Sequence, residues 1–207
     1  MEIYFVRHGE TVWNTEKRFQ GLSDSPLTEK GIEQAKLLGK KLKDIDFNKF
    51  YSSALKRAND TANYIKGNRE QEVEIFEAFN EISMGDMEGI QQEEFKKIFP
   101  KQQEDFFSNP LSYDPSPYNG ESFLELMERV KKGLEKFIEL NKNYERVLVV
   151  SHGATLKTLF HYLSGKDISE FSDEKIPKNT SYTIVKYTDG KYEIIDFSNT
   201  SHLEEIK

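Results

Sequence analysis

Two short, almost continuously apolar runs, Glu2 to Val6 and Arg146 to Val150, break off at Arg7-His8-Gly9 and at Ser151-His152-Gly153. A strand with one wet face alternates apolar and polar residues, whereas a strand buried on both faces reads as an unbroken apolar run. These two segments therefore predict central strands of a covered, parallel sheet. Helical patterns lie between them. Thr28 can cap a helix with Ile32, Ala35, Leu38 and Leu42 near one face, and Leu55, Ala58, Ala62 and Ile65 repeat the spacing after a capping serine. Phe123, Leu126, Met127, Val130, Leu134, Phe137 and Ile138 form the longest apolar stripe, and Leu156, Leu159, Phe160 and Leu163 the last. Further strands are expected at Phe47 to Ser52, Glu72 to Phe76, Tyr182 to Tyr187 and Tyr192 to Phe197, the last two joined by the turn sequence Thr188-Asp189-Gly190. Strands alternating with helices predict a three-layer α/β/α sandwich on a mostly parallel central sheet, with a terminal hairpin.

A length of 207 residues fits a single domain, 1–207. Pro100 to Ser122 stands apart, holding Pro100, Pro110, Pro115 and Pro117 out of a total of 6 prolines, together with Phe106, Phe107, Tyr113 and Tyr118. Prolines disfavour regular elements, and a long irregular segment in a compact domain is usually functional. The expectation is a lid inserted over the site, near residues 90–122.

Composition excludes several classes of function. A net charge of −7 disfavours general affinity for nucleic acid or anionic membranes, since both reward clustered basic charge. No stretch approaches the roughly 18 consecutive apolar residues of a membrane span. The opening Ile3-Tyr4-Phe5-Val6 is too short for a signal-peptide core of about 7 to 15, so the cytoplasm is the default expectation. With 0 cysteines and only 4 histidines (His8, His152, His161, His202), no standard zinc site can be written, and no metal or organic cofactor is expected. The phosphate-binding G-x-x-x-x-G-K-[ST] loop, the dinucleotide G-x-G-x-x-G fingerprint and the G-x-S-x-G elbow are all missing.

What remains is concentrated at strand ends, where open α/β sheets bind their ligands. His8 and His152 each occupy such an end, followed by a glycine that permits close backbone approach, and the helix after His152 offers free N–H groups to an anion. Arg7 precedes His8, and Arg57 falls in the first turn of a helix leaving another strand. Guanidinium forks match phosphate oxygens, so a phosphoryl group is the indicated ligand.

The ordered set Arg7-His8-Gly9-Glu10-Thr11, Asn14, Gln20-Gly21, Asp24-Ser25-Pro26-Leu27-Thr28-x-x-Gly31, Ser52-Ser53-x-x-x-Arg57-Ala58-x-x-Thr61-Ala62, Glu81-x-x-x-Gly85-x-x-Glu88-Gly89, Gly120-Glu121-Ser122 and Val150-Ser151-His152-Gly153 resembles the histidine phosphatase superfamily, in its phosphoglycerate mutase-like branch. The resemblance spans essentially the whole chain. Including Ser201-His202-Leu203-Glu204-Glu205, it is nearest to the bacterial broad-specificity phosphatases, with His202 itself reading as structural.

The resemblance implies that His8 becomes phosphohistidine, that Arg7, Arg57, His152 and Asn14 cradle the phosphoryl oxygens beside Gln20 and Gly21, and that Glu81 carries the proton. It also implies a small phosphorylated metabolite as substrate. Three alternatives stand beside hydrolysis of broad specificity: a bisphosphoglycerate-dependent phosphoglycerate mutase, an α-ribazole-phosphate phosphatase, and a non-catalytic binder of phosphorylated ligands. Mutases of this branch resemble longer chains with an inserted basic segment, whereas between Glu81 and His152 only Arg129 and Arg146 occur here, which favours hydrolysis.

Overall fold

The computed structural model of the chain describes residues 1–206. Six strands, β1 (Glu2–Arg7), β2 (Lys49–Ser52), β3 (Val73–Ile75), β4 (Arg146–Ser151), β5 (Tyr182–Thr188) and β6 (Lys191–Asn199), form one sheet in the order β3-β2-β4-β1-β5-β6. The four strands β1 to β4 run parallel, and the β5–β6 hairpin adds two antiparallel strands beside β1. The hairpin turns on Asp189 and Gly190 at φ 48° and 83°, as the turn sequence requires. The helices are α1 (Val12–Thr15), α2 (Glu29–Lys41), α3 (Lys56–Lys66), α4 (Gln92–Ile98), α5 (Pro100–Ser108), α6 (Phe123–Asn141) and α7 (Gly153–Ser164).

The unbroken apolar runs have the expected cause. In β1, Tyr4 and Val6 join Leu148 and Val150 of β4 under α2 and α3, while Ile3 and Phe5 join Val147 and Val149 under α6 and α7. Successive residues serve opposite cores, so none can be polar. The result is the three-layer α/β/α sandwich.

Two local expectations are corrected. The N-cap position of α3 is Leu55, with no side-chain cap of its own. The carboxylate of Asp24, from a distant loop, instead accepts from the amides of Lys56 (2.6 Å) and Arg57 (3.3 Å). Nor is Pro100 to Ser122 mainly irregular, because Pro100 begins α5 at its first position, where the missing N–H costs nothing, and 3₁₀ turns follow at Pro110–Ser112 and Ser116–Tyr118. The segment is fixed by aromatic contacts: Phe19 meets Phe95 and Phe106 at ring-centroid distances of 4.9 and 5.5 Å, and Phe106 meets Tyr113 and Phe123 at 5.2 Å each.

Of the terminal motif, Ser201 to Glu204 lie in a 3₁₀ turn, and the Glu205 side chain falls outside the described part. His202 is buried, its Nε2 3.2 Å from Thr180 Oγ1. Thr180 in turn donates its amide to the carbonyls of Arg7 (2.9 Å) and His8 (3.3 Å). Burial, aided by the charge of Lys41, pulls the His202 ring down to about 4. An unfolded histidine titrates near 6.5, so the unfolded chain gains the extra proton first, and stability is lost as pH falls from about 6.5 towards about 4. Urea melts at pH 7 and pH 4.5 are expected to show His202→Gln losing about 2 kcal/mol less than the parent across this interval. Equal losses in the two proteins would discard the assignment.

Candidate active site

Register brings three strand ends level. Val6 of β1 and Ser52 of β2 both pair with Val150 of β4, and Arg7 lies opposite Ser151. The residues that follow leave the sheet on one edge, which places the His8 and His152 rings 5.2 Å apart between centres and sets Ser53 beside them.

The tautomer of His8 follows from one contact. Its Nδ1 lies 2.7 Å from the Gly9 carbonyl, which can only accept, so Nδ1 carries the hydrogen and Nε2 keeps a bare lone pair. Burial, then the charges of Arg57 and Arg7, hold the ring well below the usual histidine range, and it stays neutral near pH 7. Gly9 is needed for space, since a Cβ there would stand 2.6 Å from the Gly31 carbonyl oxygen.

His152 is fully buried and likewise held neutral by burial, with Arg57, His8 and Arg7 adding. Its Nε2 is 2.6 Å from Ser53 Oγ, which already accepts from the Leu55 amide at 3.2 Å. The serine hydrogen is free to point at Nε2, and in that arrangement Nε2 accepts and Nδ1 carries the N–H. That Nδ1 is buried without a partner.

The arginines are gripped from behind. Arg57 is 1% exposed and donates through Nη1 to the Ser23 carbonyl (2.7 Å) and Asp24 Oδ1 (2.9 Å), and through Nη2 to the Gly21 carbonyl (2.7 Å). The 21–23 turn that supplies those carbonyls has Gly21 at φ +55° and is pinned by Glu88, which accepts from the amides of Leu22 (2.8 Å) and Ser23 (2.7 Å). Arg7 donates to the Pro177 carbonyl at 2.7 Å. In both arginines burial opposes the charge while Glu81 supports it, and in both Nε is buried with no partner. Two desolvated cations with unused donors create a strong demand for an anion.

Glu81 occupies a position the sequence did not suggest. Its carboxylate accepts from the amides of Ile82 (3.0 Å), Ala154 (3.2 Å) and Thr155 (3.0 Å) and from Thr155 Oγ1 (3.1 Å). The expectation that the start of α7 offers free N–H groups to a ligand is therefore corrected: the anion at that helix end is Glu81 itself. Arg129 secures its backbone, donating to the Ala78, Asn80 and Glu81 carbonyls at 2.9, 3.0 and 3.2 Å while forming a two-bond pair with Glu121 at 2.8 and 2.7 Å.

Arg7, His8, Asn14, Gln20, Gly21, Arg57 and Glu81 all line one cleft of about 120 Å³. Asn14 has a second duty, because its Oδ1 accepts from the Thr11 amide (3.1 Å) in the cap of α1 and from Asn179 Nδ2 (3.3 Å), leaving its Nδ2 as the group able to donate inward. His152 sits behind this lining rather than in it. Of the segment 90–122, Phe106 and Phe107 reach the cleft together with Gln92, whereas Tyr113 and Tyr118 are 4% and 1% exposed in the core beneath.

Arg18, Met84 and Ile176 also line the cleft and escaped sequence reasoning, as did the supporting roles of Asp24, Ser53 and Glu88. Those last three stand inside the quoted motifs, and their positions were signal enough to ask what they hold. Among the described residues, no group of three or more His, Asp or Glu side chains is arranged to hold a metal.

A neutral imidazole with a bare Nε2, two caged guanidiniums and a carboxylate at a helix end, all beyond the carboxyl edge of a parallel sheet, define an α/β protein with an anion-seeking site. The profile of the histidine phosphatase superfamily (branch 1) matches residues 3–200, and the chain belongs to that superfamily. It is 36% identical to "Metal-independent phosphoserine phosphatase" of Arabidopsis thaliana over 99% of this chain and 84% of that one. It is likewise 36% identical to "Phosphoglycerate mutase-like protein 4" of the same plant, over 99% and 87%. The solved structure of Bacillus stearothermophilus YhfR matches with a TM-score of 0.92 at 33% identity, covering 98% of each chain. Among the described residues no helix is long and apolar enough to cross a membrane.

Proposed function

We propose that the chain is a phosphomonoester hydrolase of broad specificity for small phosphorylated metabolites, working through a phosphohistidine as a single domain with residues 90–122 as its lid. The observation that carries this reading is the 2.7 Å contact between His8 Nδ1 and the Gly9 carbonyl, which leaves Nε2 unprotonated in a cleft of unpaired cationic donors. In the first half-reaction the Nε2 lone pair forms the N–P bond while the ester P–O bond breaks, and Glu81, having taken up the proton of the monoanionic phosphomonoester, passes it to the leaving oxygen. In the second, Glu81 takes a proton from water, whose oxygen bonds to phosphorus as the N–P bond breaks, releasing phosphate and restoring His8.

The charge of the transition state lies on three non-bridging oxygens, so positioned donors do most of the work. Arg7, Arg57 and Asn14 through Nδ2 are the donors that line the cleft, joined from behind by His152 through Nδ1–H once the phosphoryl group is seated against His8, with Gln20 and Gly21 at the rim. None of these steps calls on a metal. Hydrolysis is favoured over the mutase alternative because Arg129 is consumed by Glu121 and three carbonyls, and Arg146 by Glu2 at 2.9 Å, leaving neither for a second phosphate. A binder would require neither the bare Nε2 nor Glu81.

The direct test is hydrolysis of p-nitrophenyl phosphate by EDTA-treated protein from mildly acidic to neutral pH. Turnover that survives EDTA is the expected result, and turnover that returns only with an added divalent cation or a bisphosphate primer would refute the proposal.

A further inference from the structure

A second cavity of about 280 Å³ adjoins the phosphoryl cleft. The two share Phe106, Phe107, Ala154 and Ile176, so those residues stand between them. At the far side stands Lys157, three residues after Ala154 on α7 and so about one turn along the same face. Lys157 is only 7% exposed, yet among the described residues its ammonium makes no hydrogen bond and no ion pair, having only the face of Phe171 at 4.5 Å. Glu174 lines the same cavity but is committed to Lys166 at 2.7 Å. Burial lowers the Lys157 pKa, with Glu174 and Asp173 opposing, as expected of a cation short of partners. The stem of Lys157 is buried while its ammonium, facing Phe171, reaches the cavity, where it is placed to pair with an anionic group of a ligand.

We infer that Lys157 selects the leaving group: the preferred substrates are phosphomonoesters whose alcohol carries an apolar body, seated between Phe107 and Ile176, and ends in a carboxylate received by the Lys157 ammonium. The wall also carries Lys175, and Glu174 is neutralised by Lys166, so the cavity receives an anion; a monoanionic carboxylate matches the Lys157 ammonium one for one. The inference rests on the hydrolase reading for the placement of the phosphoryl group, but Lys157 takes no part in the chemistry.

The test compares 4-carboxyphenyl phosphate with phenyl phosphate in the parent, Lys157→Met and Lys157→Arg proteins. In the parent, kcat/KM should favour the carboxylate by about tenfold or more, mainly through KM, the size of one charge-assisted contact. Lys157→Met, which keeps the length and apolar stem, should bring the ratio of the two substrates close to one, and Lys157→Arg should restore most of the preference. Calorimetric binding of both esters to the His8→Ala protein reads the same preference without turnover. Absence of hydrolysis with a carboxylate preference in binding would therefore fault only the hydrolase reading. Hydrolysis without preference, or a preference that survives in Lys157→Met, would overturn the Lys157 assignment.

Discussion

Replacing His8 with alanine is expected to reduce turnover of p-nitrophenyl phosphate by at least about 10³-fold, about 4 kcal/mol of transition-state stabilisation. The size follows from position. The His8 lone pair is the only one held bare by an internal hydrogen bond in this cleft, whereas Nε2 of His152 is taken up by Ser53. The caged arginines do not depend on the imidazole for their geometry, since Arg57 is held by Gly21, Ser23 and Asp24, and Arg7 by Pro177. Phosphate should accordingly still bind to the variant. Rapid acid-free denaturation during turnover should trap phosphorus on His8 of the parent and none on the variant. Substantial turnover by the alanine protein, or label found on another residue, would end the phosphohistidine reading.

The second large effect is expected at Glu81 and is diagnostic in kind. Glutamine keeps an acceptor oxygen for the amides at the start of α7, so Glu81→Gln is the milder structural change, whereas alanine orphans the amides of Ala154 and Thr155. Removing a general acid typically costs about 10² to 10⁴ in rate, and the loss should grow with the basicity of the leaving oxygen. The first half-reaction with an alkyl phosphate should collapse, while p-nitrophenyl phosphate, whose leaving oxygen needs little help, should still load His8. Water attack then lacks its base, so the phosphoenzyme accumulates and the variant gives a burst of about one p-nitrophenol per site followed by slow turnover. Phosphate binding should be retained. Equal loss of the first half-reaction for good and poor leaving groups would contradict the acid assignment.

Much of this site was legible in linear order, for a definite reason. His8, His152 and Arg57 lie just past strand ends, and apolar runs that must fill two cores leave no freedom about where those ends fall. The three-layer architecture, the hairpin at Asp189-Gly190 and the apolar faces of α2, α3, α6 and α7 were readable from the same alternation. The segment after Pro100 was misread because proline's effect depends on position: at the first residue of α5 it starts a helix instead of interrupting one. The cap of α3 was assigned to a neighbouring serine because sequence reasoning looks for caps nearby, while Asp24 is 32 residues from Lys56 in the chain.

The amino-acid sequence by itself determined the covered parallel sheet, the exits that carry Arg7, His8, Arg57 and His152, and, through the ordered motifs, membership of a superfamily. These are matters of residue type and spacing, which local propensity and burial convert directly into structure. Only the tertiary structure decided the protonation pattern, the partner of Glu81 and the place of Lys157. Which nitrogen of His8 is bare depends on a carbonyl 2.7 Å away, and what occupies the start of α7 depends on a glutamate 73 residues earlier in the chain. That Lys157 buries its stem and turns its ammonium to a cavity wall depends on Phe171, whose ring lies 4.5 Å from it. Each of these is an electrostatic outcome set by distance and desolvation, and neither quantity exists until the chain has folded.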